Sequence, residues 1–410
     1  MPTPKQPSEP ARRESGSDRP THHAQTPRRN EQPSFAEQPQ DMPRPKPVAG
    51  TRALIVALKI VVGIIVSLAV LAGGLIGYLT LTEYDPGYAE NAMFGANRVS
   101  TDYVGQRLRI VSFNTGYGGL GRDADSVLDG GKQVNPDSEQ TVLRNMKGIE
   151  EILNGTGADI LMLQEVDTDS ARSFGHNQFL QYEHDLTGYE ARFALNYSCD
   201  YVPYPLNDRI GKVNSGLATY SRYGIVSATR YSLYCPFTWP TRVANLKRCL
   251  LVTRIAIKNS EKELVLINLH LDAYDDGTGR AKQAEQLLEL MQTEYAKGNY
   301  VIAGGDFNQI FPGGTTNFPL KESSEWRPAG LKLNLPSGWS YACDLNTPSC
   351  RLLNQPYDAS SAKTQYYVID GFILSPNIEL TQVQTLNARF VYSDHNPVVL
   401  DIQLKLEQSE

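Results

Sequence analysis

Apolar and polar residues alternate along eight short segments of the chain, and each segment ends in glycines or polar residues. This period-two pattern predicts β-strands. The segments are 107–119, 158–167, 216–226, 248–257, 263–273, 300–309, 366–376 and 395–406. Two further segments, 137–157 and 280–298, have apolar residues three to four positions apart, which predicts helices. Many strands with two long helices predict an α+β fold, a four-layer α/β/β/α sandwich of two packed mixed sheets with outer helices.

One segment is apolar on every side rather than on one face. No charged residue occurs from Ile60 to Thr82, a run long enough to cross a bilayer, which needs about 20 apolar residues. The run is too long for a signal peptide, and no small-x-small cleavage site follows it. The alternative is a buried core helix, but a globular helix is rarely apolar all round. The sequence therefore predicts one transmembrane helix over 53–82, ahead of the sandwich.

The charges beside this helix predict its orientation. Nine Lys and Arg residues precede Lys59, whereas Arg98 is the only basic residue between Thr82 and Val104. Cytoplasmic flanks are usually the basic ones, so we expect a cytoplasmic N-terminus and an extracytoplasmic C-terminal domain in the cell membrane. Gly73 and Gly77 share one helix face, which is a weak indication of a helix dimer. The oligomeric state stays open.

Composition divides the rest of the chain. Residues 1–52 are rich in Pro, Arg, Gln, Ser and Glu, which predicts a disordered cytoplasmic tail. Residues 83–106 are expected to form a linker, and 107–410 a single catalytic domain large enough for one core. From Gly105 onward, 28 Lys and Arg residues stand against 35 Asp and Glu, a net charge of −7. Such acidity disfavours a general nucleic-acid binder, whose affinity comes from clustered basic residues.

The cysteines leave two possibilities open. The chain has five of them, Cys199, Cys235, Cys249, Cys343 and Cys350. Their spacing does not match a zinc site. Cys343 with Cys350, and Cys235 with Cys249, are candidate disulfide pairs in an exported domain, and five ordinary thiols are the alternative.

Charged and amide side chains stand at the ends of six predicted strands. They are Asn114, Glu165, His270, Asp306, Asn308, Asp370, Asp394 and His395. If the strands lie side by side, these ends meet at one rim, where four carboxylates repel one another unless a cation lies among them. Oxygen ligands without cysteine suit Mg²⁺, or alternatively Mn²⁺.

Seven short motifs along these strands occur in a characteristic order. They are FN at 113–114, LQE at 163–165, GLATYSRY at 216–223, NLHL at 268–271, GDFN at 305–308, ID at 369–370 and SDHNP at 393–397. In this order they resemble the endonuclease/exonuclease/phosphatase family over about 300 residues. That family includes deoxyribonucleases, apurinic endonucleases, sphingomyelinases, inositol polyphosphate 5-phosphatases and deadenylases.

The resemblance implies a Mg²⁺-dependent hydrolase of phosphoric esters. It also implies a role for each matching residue: metal binding for Asn114, Glu165 and Asp394, water activation for Asp306, phosphate binding for Asn308 and His395, support of His395 for Asp370, and leaving-group or phosphate contact for His270. Phosphoester hydrolysis by in-line water attack needs these functions, namely charge neutralisation, a positioned water and a stabilised transition state. One versus two metal ions stays open.

Three further polar residues are candidates for substrate contact. Arg172 and Asn177 follow Glu165 closely, and Asn214 precedes the GLATYSRY motif, although ordinary polar loops look the same. Beside an anchor, a phosphodiester or phosphomonoester of a lipid head group or small metabolite is favoured as substrate over nucleic acid. A membrane-anchored nuclease using the same site is the first alternative, and a non-catalytic binding module is the second.

Overall fold

The computed structural model describes most of the chain. The described residues are 49–99, 103–273, 277–322 and 324–406. The predicted tail therefore lies almost entirely outside the described residues. The chain divides into two units, 1–65 and 66–410, and the second contains both sheets.

Five α-helices occur in the described residues. They are α1 (Ala49–Leu81), α2 (Glu139–Thr156), α3 (Gln178–Asp185), α4 (Thr278–Ala296) and α5 (Gly314–Asn317). Within the described part of the chain, α1 is the one helix long and apolar enough to cross a membrane, and large side chains from Leu54 to Leu71 on it are exposed. The predicted helices at 137–157 and 280–298 are confirmed as α2 and α4. The Ser138 hydroxyl accepts a hydrogen bond from Thr141 N and caps α2.

Two mixed sheets contain nearly all the strands. The strands are β1 (Ala89–Asn91), β2 (Met93–Phe94), β3 (Tyr103–Val104), β4 (Arg107–Asn114), β5 (Ile160–Asp167), β6 (Glu190–Val202), β7 (Gly211–Ser221), β8 (Ile225–Ser232), β9 (Cys249–Ile257), β10 (Glu263–His270), β11 (Tyr300–Asp306), β12 (Ser340–Ala342), β13 (Cys350–Arg351), β14 (Tyr366–Tyr367), β15 (Asp370–Leu374), β16 (Ile378–Thr385) and β17 (Val398–Leu404). The first sheet has the order β1-β8-β9-β10-β11-β15-β12, with β3 paired to β9. The second has the order β16-β17-β4-β5-β7-β6-β2, and β13 and β14 form a separate pair.

The sheets and helices pack as the four predicted layers. Side chains from both sheets, among them Ile110 of β4 and Leu266 of β10, form one buried cluster between the sheets. The next residue of β4, Val111, points the other way and packs against apolar side chains of α2 and α3. On the outer side of the first sheet, Leu287 and Met291 of α4 cover β10 and β11. The period-two alternation of the strands thus gives each sheet two buried faces.

Strand direction and register bring the polar strand ends together. Strand β4 runs parallel to β5, and β10 runs parallel to β11 with His270 opposite Asp306. Strand β15 is antiparallel to β11, and its first residue, Asp370, lies opposite Asp306. The carboxyl ends of four strands and the start of a fifth therefore share one rim.

The predicted linker at 83–106 is wrong. Three short strands within it extend the sheets, because β1 pairs with β8, β2 with β6 and β3 with β9. Each is only two or three residues long, too short for alternation to be read from the sequence. These three strands are part of the sandwich rather than of a spacer.

The five cysteines distinguish between the two possibilities left open by the sequence, disulfide bonds or free thiols. All five are free, and Cys199, Cys249 and Cys350 are buried. Neither candidate disulfide is formed, so the alternative of ordinary thiols holds.

Candidate active site

The eight polar residues predicted at strand ends form one contact network. The amide of Asn114 at the end of β4 occupies its middle, because Nδ2 donates to Asp306 Oδ2 at 3.0 Å and to Glu165 Oε1 at 3.3 Å. The same nitrogen lies 3.4 Å from Nε2 of His395. The amide oxygen of Asn114 accepts from the backbone N of Gly116 at 3.0 Å. In this arrangement Asn114 links the two sheets, and its role as a metal ligand stays a prediction.

One imidazole of the network is held by a buried carboxylate. Nδ1 of His395 lies 2.9 Å from Oδ2 of Asp370, and Nε2 lies 3.7 Å from Asp306 and 3.9 Å from Asp394. Burial by itself lowers the pKa of His395, but the negative charges around it, Asp370 above all, raise it well above 6.5. His395 is therefore positively charged at neutral pH and directs Nε2 toward the cavity residues.

The second imidazole has the opposite electrostatic environment. Nε2 of His270 lies 3.4 Å from Asp306 Oδ2, while its buried Nδ1 has no hydrogen-bond partner among the described residues. Burial and the positive charge of Arg248 hold the pKa of His270 well below 6.5. The two histidines thus contact the same carboxylate in different charge states, and the neutral one can accept or donate a hydrogen bond to a ligand.

The backbone is unusual where these side chains emerge. Glu165 has a φ of 54° and Asn308 a φ of 49°, in the left-handed region that non-glycine residues rarely adopt. A register shift between Leu163 and Val166 accompanies Glu165 and turns its side chain out of the normal strand alternation. Such strain persists where surrounding structure imposes it, and it concentrates at functional sites.

A glycine sets the spacing between the two central strands of the first sheet. Gly305 has a φ of 149°, and a Cβ atom there would lie 2.0 Å from the carbonyl oxygen of Leu269. Only glycine therefore allows β11 to approach β10 closely enough to place Asp306 beside His270. The GDFN motif requires its glycine for this reason.

Two buried amides join the sheets directly beneath the network. Gln164 Nε2 donates to Asn268 Oδ1 at 2.8 Å. Asn268 Nδ2 in turn donates to the carbonyl oxygens of Leu163 and Ala218, each at 3.0 Å. Gln164 is the middle residue of the LQE motif, and Asn268 is the first residue of NLHL. Their hydrogen bonds fix the distance between the strand ends that carry Glu165 and His270.

The charges of the site fit a divalent cation. Burial and the charge of Asp370 raise the pKa of Asp306 to about 7, and burial raises that of Asp394 to about 6, with Glu165 adding to the shift. One buried oxygen of Asp370 has no hydrogen-bond partner among the described residues. Ligand atoms of Asp306, Asp370 and His395, and of Cys350, Asp394 and His395, lie within 4.8 Å of one another. Crowded carboxylates of this kind are those that a hard cation stabilises.

Arginines line the cavity above the network, which has a volume of about 170 Å³. Arg172 forms a bidentate pair with Asp167 at 2.9 and 3.1 Å, and its guanidinium lies 3.8 Å from the ring centroid of Tyr117. Arg248 contacts Asp272 at 3.1 Å. Arg172 lines this cavity, and its contact with a substrate stays a prediction. Arg248 was missed, although it directly precedes β9, which runs antiparallel to β10, so the start of β9 lies at the rim where His270 ends.

Two substrate candidates from the sequence do not reach the cavity. Asn177 is exposed and caps α3, because its Oδ1 accepts from Leu180 N at 3.0 Å. Asn214 on β7 accepts from the Ser198 hydroxyl at 2.7 Å and lines neither large cavity. Local hydrogen bonds, which a residue pattern does not reveal, use both side chains, and their contact with a substrate stays a prediction.

Three solved structures that are similar to this chain have low sequence identity, and the first of them supports the fold. An endonuclease/exonuclease/phosphatase from Beutenbergia cavernae has 17% sequence identity and a TM-score of 0.53, covering 73% of this chain and 72% of that one. A family protein from Bacteroides thetaiotaomicron has 18% identity and a TM-score of 0.46, covering 74% of this chain and 100% of that one. A 2′,3′-cyclic phosphatase, ANGEL2, has 15% identity and a TM-score of 0.47, covering 77% and 99%.

Sequence comparison gives the family itself. A search of curated proteins gives no significant match. The sequence model of the Endonuclease/Exonuclease/phosphatase family matches residues 111–395, from β4 to His395. Members of this family are hydrolases of phosphate esters and generally depend on divalent metal ions. Since the match spans more than half of the sequence and contains all eight network residues, the chain belongs to the endonuclease/exonuclease/phosphatase family.

Proposed function

We propose that the protein is a membrane-anchored phosphoesterase that uses Mg²⁺, or Mn²⁺ in its place, to hydrolyse a phosphodiester or phosphomonoester. The observation that carries the proposal is the single network of Asn114, Glu165, His270 and Asp306 with Asn308, Asp370, Asp394 and His395 at the rim of both sheets. A non-catalytic module would have no need to bury three carboxylates, Asp306, Asp370 and Asp394, beside the half-buried Glu165, because each buried one costs desolvation free energy.

Glu165 and Asp394 are the residues that would hold the cation, with Asn114 beside them. When bound, the cation supplies positive charge that neutralises phosphate oxygens and favours ionisation of water. Asp306 receives a hydrogen bond from Asn308 N at 2.8 Å, which leaves its second oxygen directed at His270 and His395. A carboxylate whose pKa is near 7 is suited to orient a water and accept its proton.

Positive side chains supply the remaining electrostatics. The imidazolium of His395, fixed by Asp370, stabilises negative charge that develops on the phosphoryl oxygens. Arg172 and Arg248 line the same cavity and add fixed positive charge for binding the phosphate. The side chains therefore divide into two groups. Asp306 and the residues that contact it orient the attacking water, whereas His395, Arg172 and Arg248 bind the phosphate.

The anchor supports a substrate at or near the membrane. We propose that α1 spans the membrane with its N-terminus in the cytoplasm, since basic residues precede it and acidic ones follow it. The catalytic unit is then extracytoplasmic. Such tethering raises the effective concentration of the site at the bilayer surface, which favours a lipid phosphate ester over a dissolved polymer.

Hydrolysis by the full chain in phosphatidylcholine nanodiscs tests this proposal. Methyl p-nitrophenyl phosphate, p-nitrophenyl phosphate and a short single-stranded DNA serve as probes, each with Mg²⁺, Mn²⁺ or EDTA. We expect metal-dependent release of p-nitrophenol that His395→Ala abolishes and that Glu379→Gln, an exposed charge change on β16, leaves unchanged. Faster turnover of the DNA favours the anchored nuclease. Binding of Mg²⁺ without hydrolysis of any probe contradicts the proposal.

A further inference from the structure

A second, largely apolar cavity opens directly from the polar one. Its volume is about 620 Å³, and it shares seven lining residues with the cavity above the network, including Glu165, Arg172, Arg248 and His270. Away from these residues its walls are mostly apolar, although Asn196, Thr241, Asn245 and Asp272 also line it. The apolar residues of the walls include Ile76, Leu79, Val202, Ile210, Phe237 and Val243. We call this space the apolar groove. Its polar end is the candidate catalytic centre, so one ligand can occupy both.

The end of the candidate membrane span forms one wall of the apolar groove. Ile76 and Leu79 belong to α1, and Leu79 is 3% exposed whereas Leu71 is 69% exposed. The last turns of α1 are therefore more buried than the preceding turns, because Leu79 packs with Val202, Val213 and Val243. The groove is walled by the same helix that is apolar enough to enter a bilayer.

Polar contacts hold this helix end against the loop that forms the opposite wall. Tyr78 donates to Asp200 at 2.8 Å, and the Trp239 indole nitrogen donates to the Thr80 hydroxyl at 3.1 Å. Just beyond the helix, Glu83 pairs with Arg242 and Lys247, each at 2.8 Å. The Tyr78 contact joins the helix to β6, and the contacts of Thr80 and Glu83 join the helix end to the 231–247 segment. Together they give the groove a defined shape beside the bilayer-compatible helix.

From this continuity we infer that the substrate is a lipid phosphate ester whose alkyl or acyl chain lies in the apolar groove while its phosphate lies at the network. This inference rests on the proposed function and names the substrate class for the same site. Arg172 and Arg248 line both cavities where the groove meets the polar one, and beyond their pairs with Asp167 and Asp272 their guanidinium groups can donate further hydrogen bonds to an anionic phosphate ester. A nucleic acid would place sugars and further phosphates, not methylene groups, against these apolar walls.

Chain-length dependence on soluble probes tests the inference. Methyl, butyl and hexyl p-nitrophenyl phosphates carry the same leaving group and differ only in methylene groups. The full chain in phosphatidylcholine nanodiscs is assayed with Mg²⁺. If the chain enters the groove, each added methylene should raise kcat/KM by up to about fourfold, since its burial is favourable. Metal-dependent turnover with no rise from methyl to hexyl retains the proposed function and overturns this inference.

Two variants and one matched control localise the effect. Leu128→Gln makes a 49% exposed groove residue polar, and Ala244→Phe narrows the groove. We expect each to reduce the hexyl-to-methyl ratio of kcat/KM at least fivefold. Leu143→Gln on α2 alters a leucine that is 44% exposed and lines neither cavity, and should keep the ratio. An unchanged ratio in both groove variants overturns the inference.

Photocrosslinking gives a readout that does not need turnover. Nanodiscs of phosphatidylcholine carry a trace of a phosphatidylcholine with a diazirine in its acyl chain, and labelled peptides are identified by mass spectrometry. Labelling of the 197–210 or 237–246 segments, lost in Ala244→Phe, supports the inference even if the p-nitrophenyl probes are poor substrates. Labelling restricted to 54–71 of α1 overturns it, as does hydrolysis of DNA in preference to the hexyl diester. If no probe is hydrolysed and Mg²⁺ still binds, the proposed function fails, and the substrate assignment fails with it.

Discussion

The two ends of the combined cavity are built from different parts of the molecule. The polar end consists of strand termini from both sheets, where buried side chains are joined by hydrogen bonds, Asn114 to Asp306 and His395 to Asp370. The apolar end consists mainly of connections and a helix end, among them Phe237, Val243 and Leu79, together with the end of β6. Residues on sheets are fixed by two packed layers, whereas those on connections depend on a few local contacts. The difference indicates that the residues for catalysis lie on the sheets, whereas the residues that determine which substrate binds lie mainly on the connections.

The largest expected effect is a fall in kcat on substitution of Asp306. This substitution tests whether the chemical step is separate from substrate selection. Asp306→Asn keeps the shape and the hydrogen bond from Asn308 N but removes the carboxylate that accepts a proton from water. We expect kcat to fall by about 10³-fold, within the range typical of general bases. The fall should be equal for methyl and hexyl p-nitrophenyl phosphates, because the apolar end is untouched. A loss confined to the hexyl probe would contradict the division between the two ends.

The next effect tests whether the polar end works as a unit. Asp370 contacts no part of the apolar groove and acts through His395, 2.9 Å away. Asp370→Asn removes the charge that keeps His395 cationic, so we expect kcat to fall by about 10²-fold with a small change in KM. An unchanged melting temperature shows that the fold is kept. A kcat equal to that of the wild type would mean that His395 needs no carboxylate partner.

The same division explains what the sequence could predict. The eight network residues were predicted because each stands at or near one end of an apolar strand, and packing of two sheets brings strand ends to one rim. Arg248 could have been found by the same argument applied to the start of an antiparallel strand. Asn177 and Asn214 were predicted from position alone, and their side chains form a helix cap and a cross-strand hydrogen bond. Whether a loop amide is free for substrate is a three-dimensional property.

The apolar end could not be predicted, and the reasons are physical. Its residues are distant in sequence and lie on α1, on β6 and in the 231–247 segment, which has no regular period. The strand β6 was missed because it bends through two register shifts, between Leu195 and Tyr197 and between Cys199 and Val202, so its alternation is broken. The 83–106 segment was read as a linker because its strands are very short. Long regular elements are predictable from pattern, and grooves between irregular ones are not.

A third effect concerns the interior on which both ends depend. Asn268 joins the sheets beneath the network through Gln164 and two backbone carbonyl groups. Asn268→Ala leaves these buried groups without their partner, and we expect the free energy of unfolding of the full chain to fall by about 2 kcal/mol. Asn91→Ala, at an exposed position of β1, is the control and should change it little. Equal stability of the two variants would show that the amide pair does not hold the sheets together.

The smallest effect concerns the helix end that walls the apolar groove. Burial alone raises the pKa of Glu83, but hydrogen bonds from Arg242 and Lys247 outweigh it and lower the pKa below its ordinary value of 4.5. A carboxylate with a lowered folded-state pKa contributes stability that is fully present above 4.5 and is lost as the pH falls through the folded value. Glu83→Gln should therefore reduce the free energy of unfolding by about 1 kcal/mol at pH 7.

The pH dependence of that difference distinguishes this ion pair from simple packing. Urea unfolding of wild type and Glu83→Gln at pH 7, 5 and 3 should show a difference that is large at pH 7, nearly as large at pH 5 and small at pH 3. Glu379→Gln, an exposed change of the same type, should show little difference at any of the three. A constant difference across pH would mean that Glu83 stabilises the helix end by shape alone. If the difference in free energy of unfolding is lost at low pH, the ion pair stabilises the helix end through charge. If the hexyl-to-methyl ratio of kcat/KM is also reduced in Glu83→Gln at pH 7, the ion pair maintains the shape of the groove, and so affects substrate choice rather than chemistry.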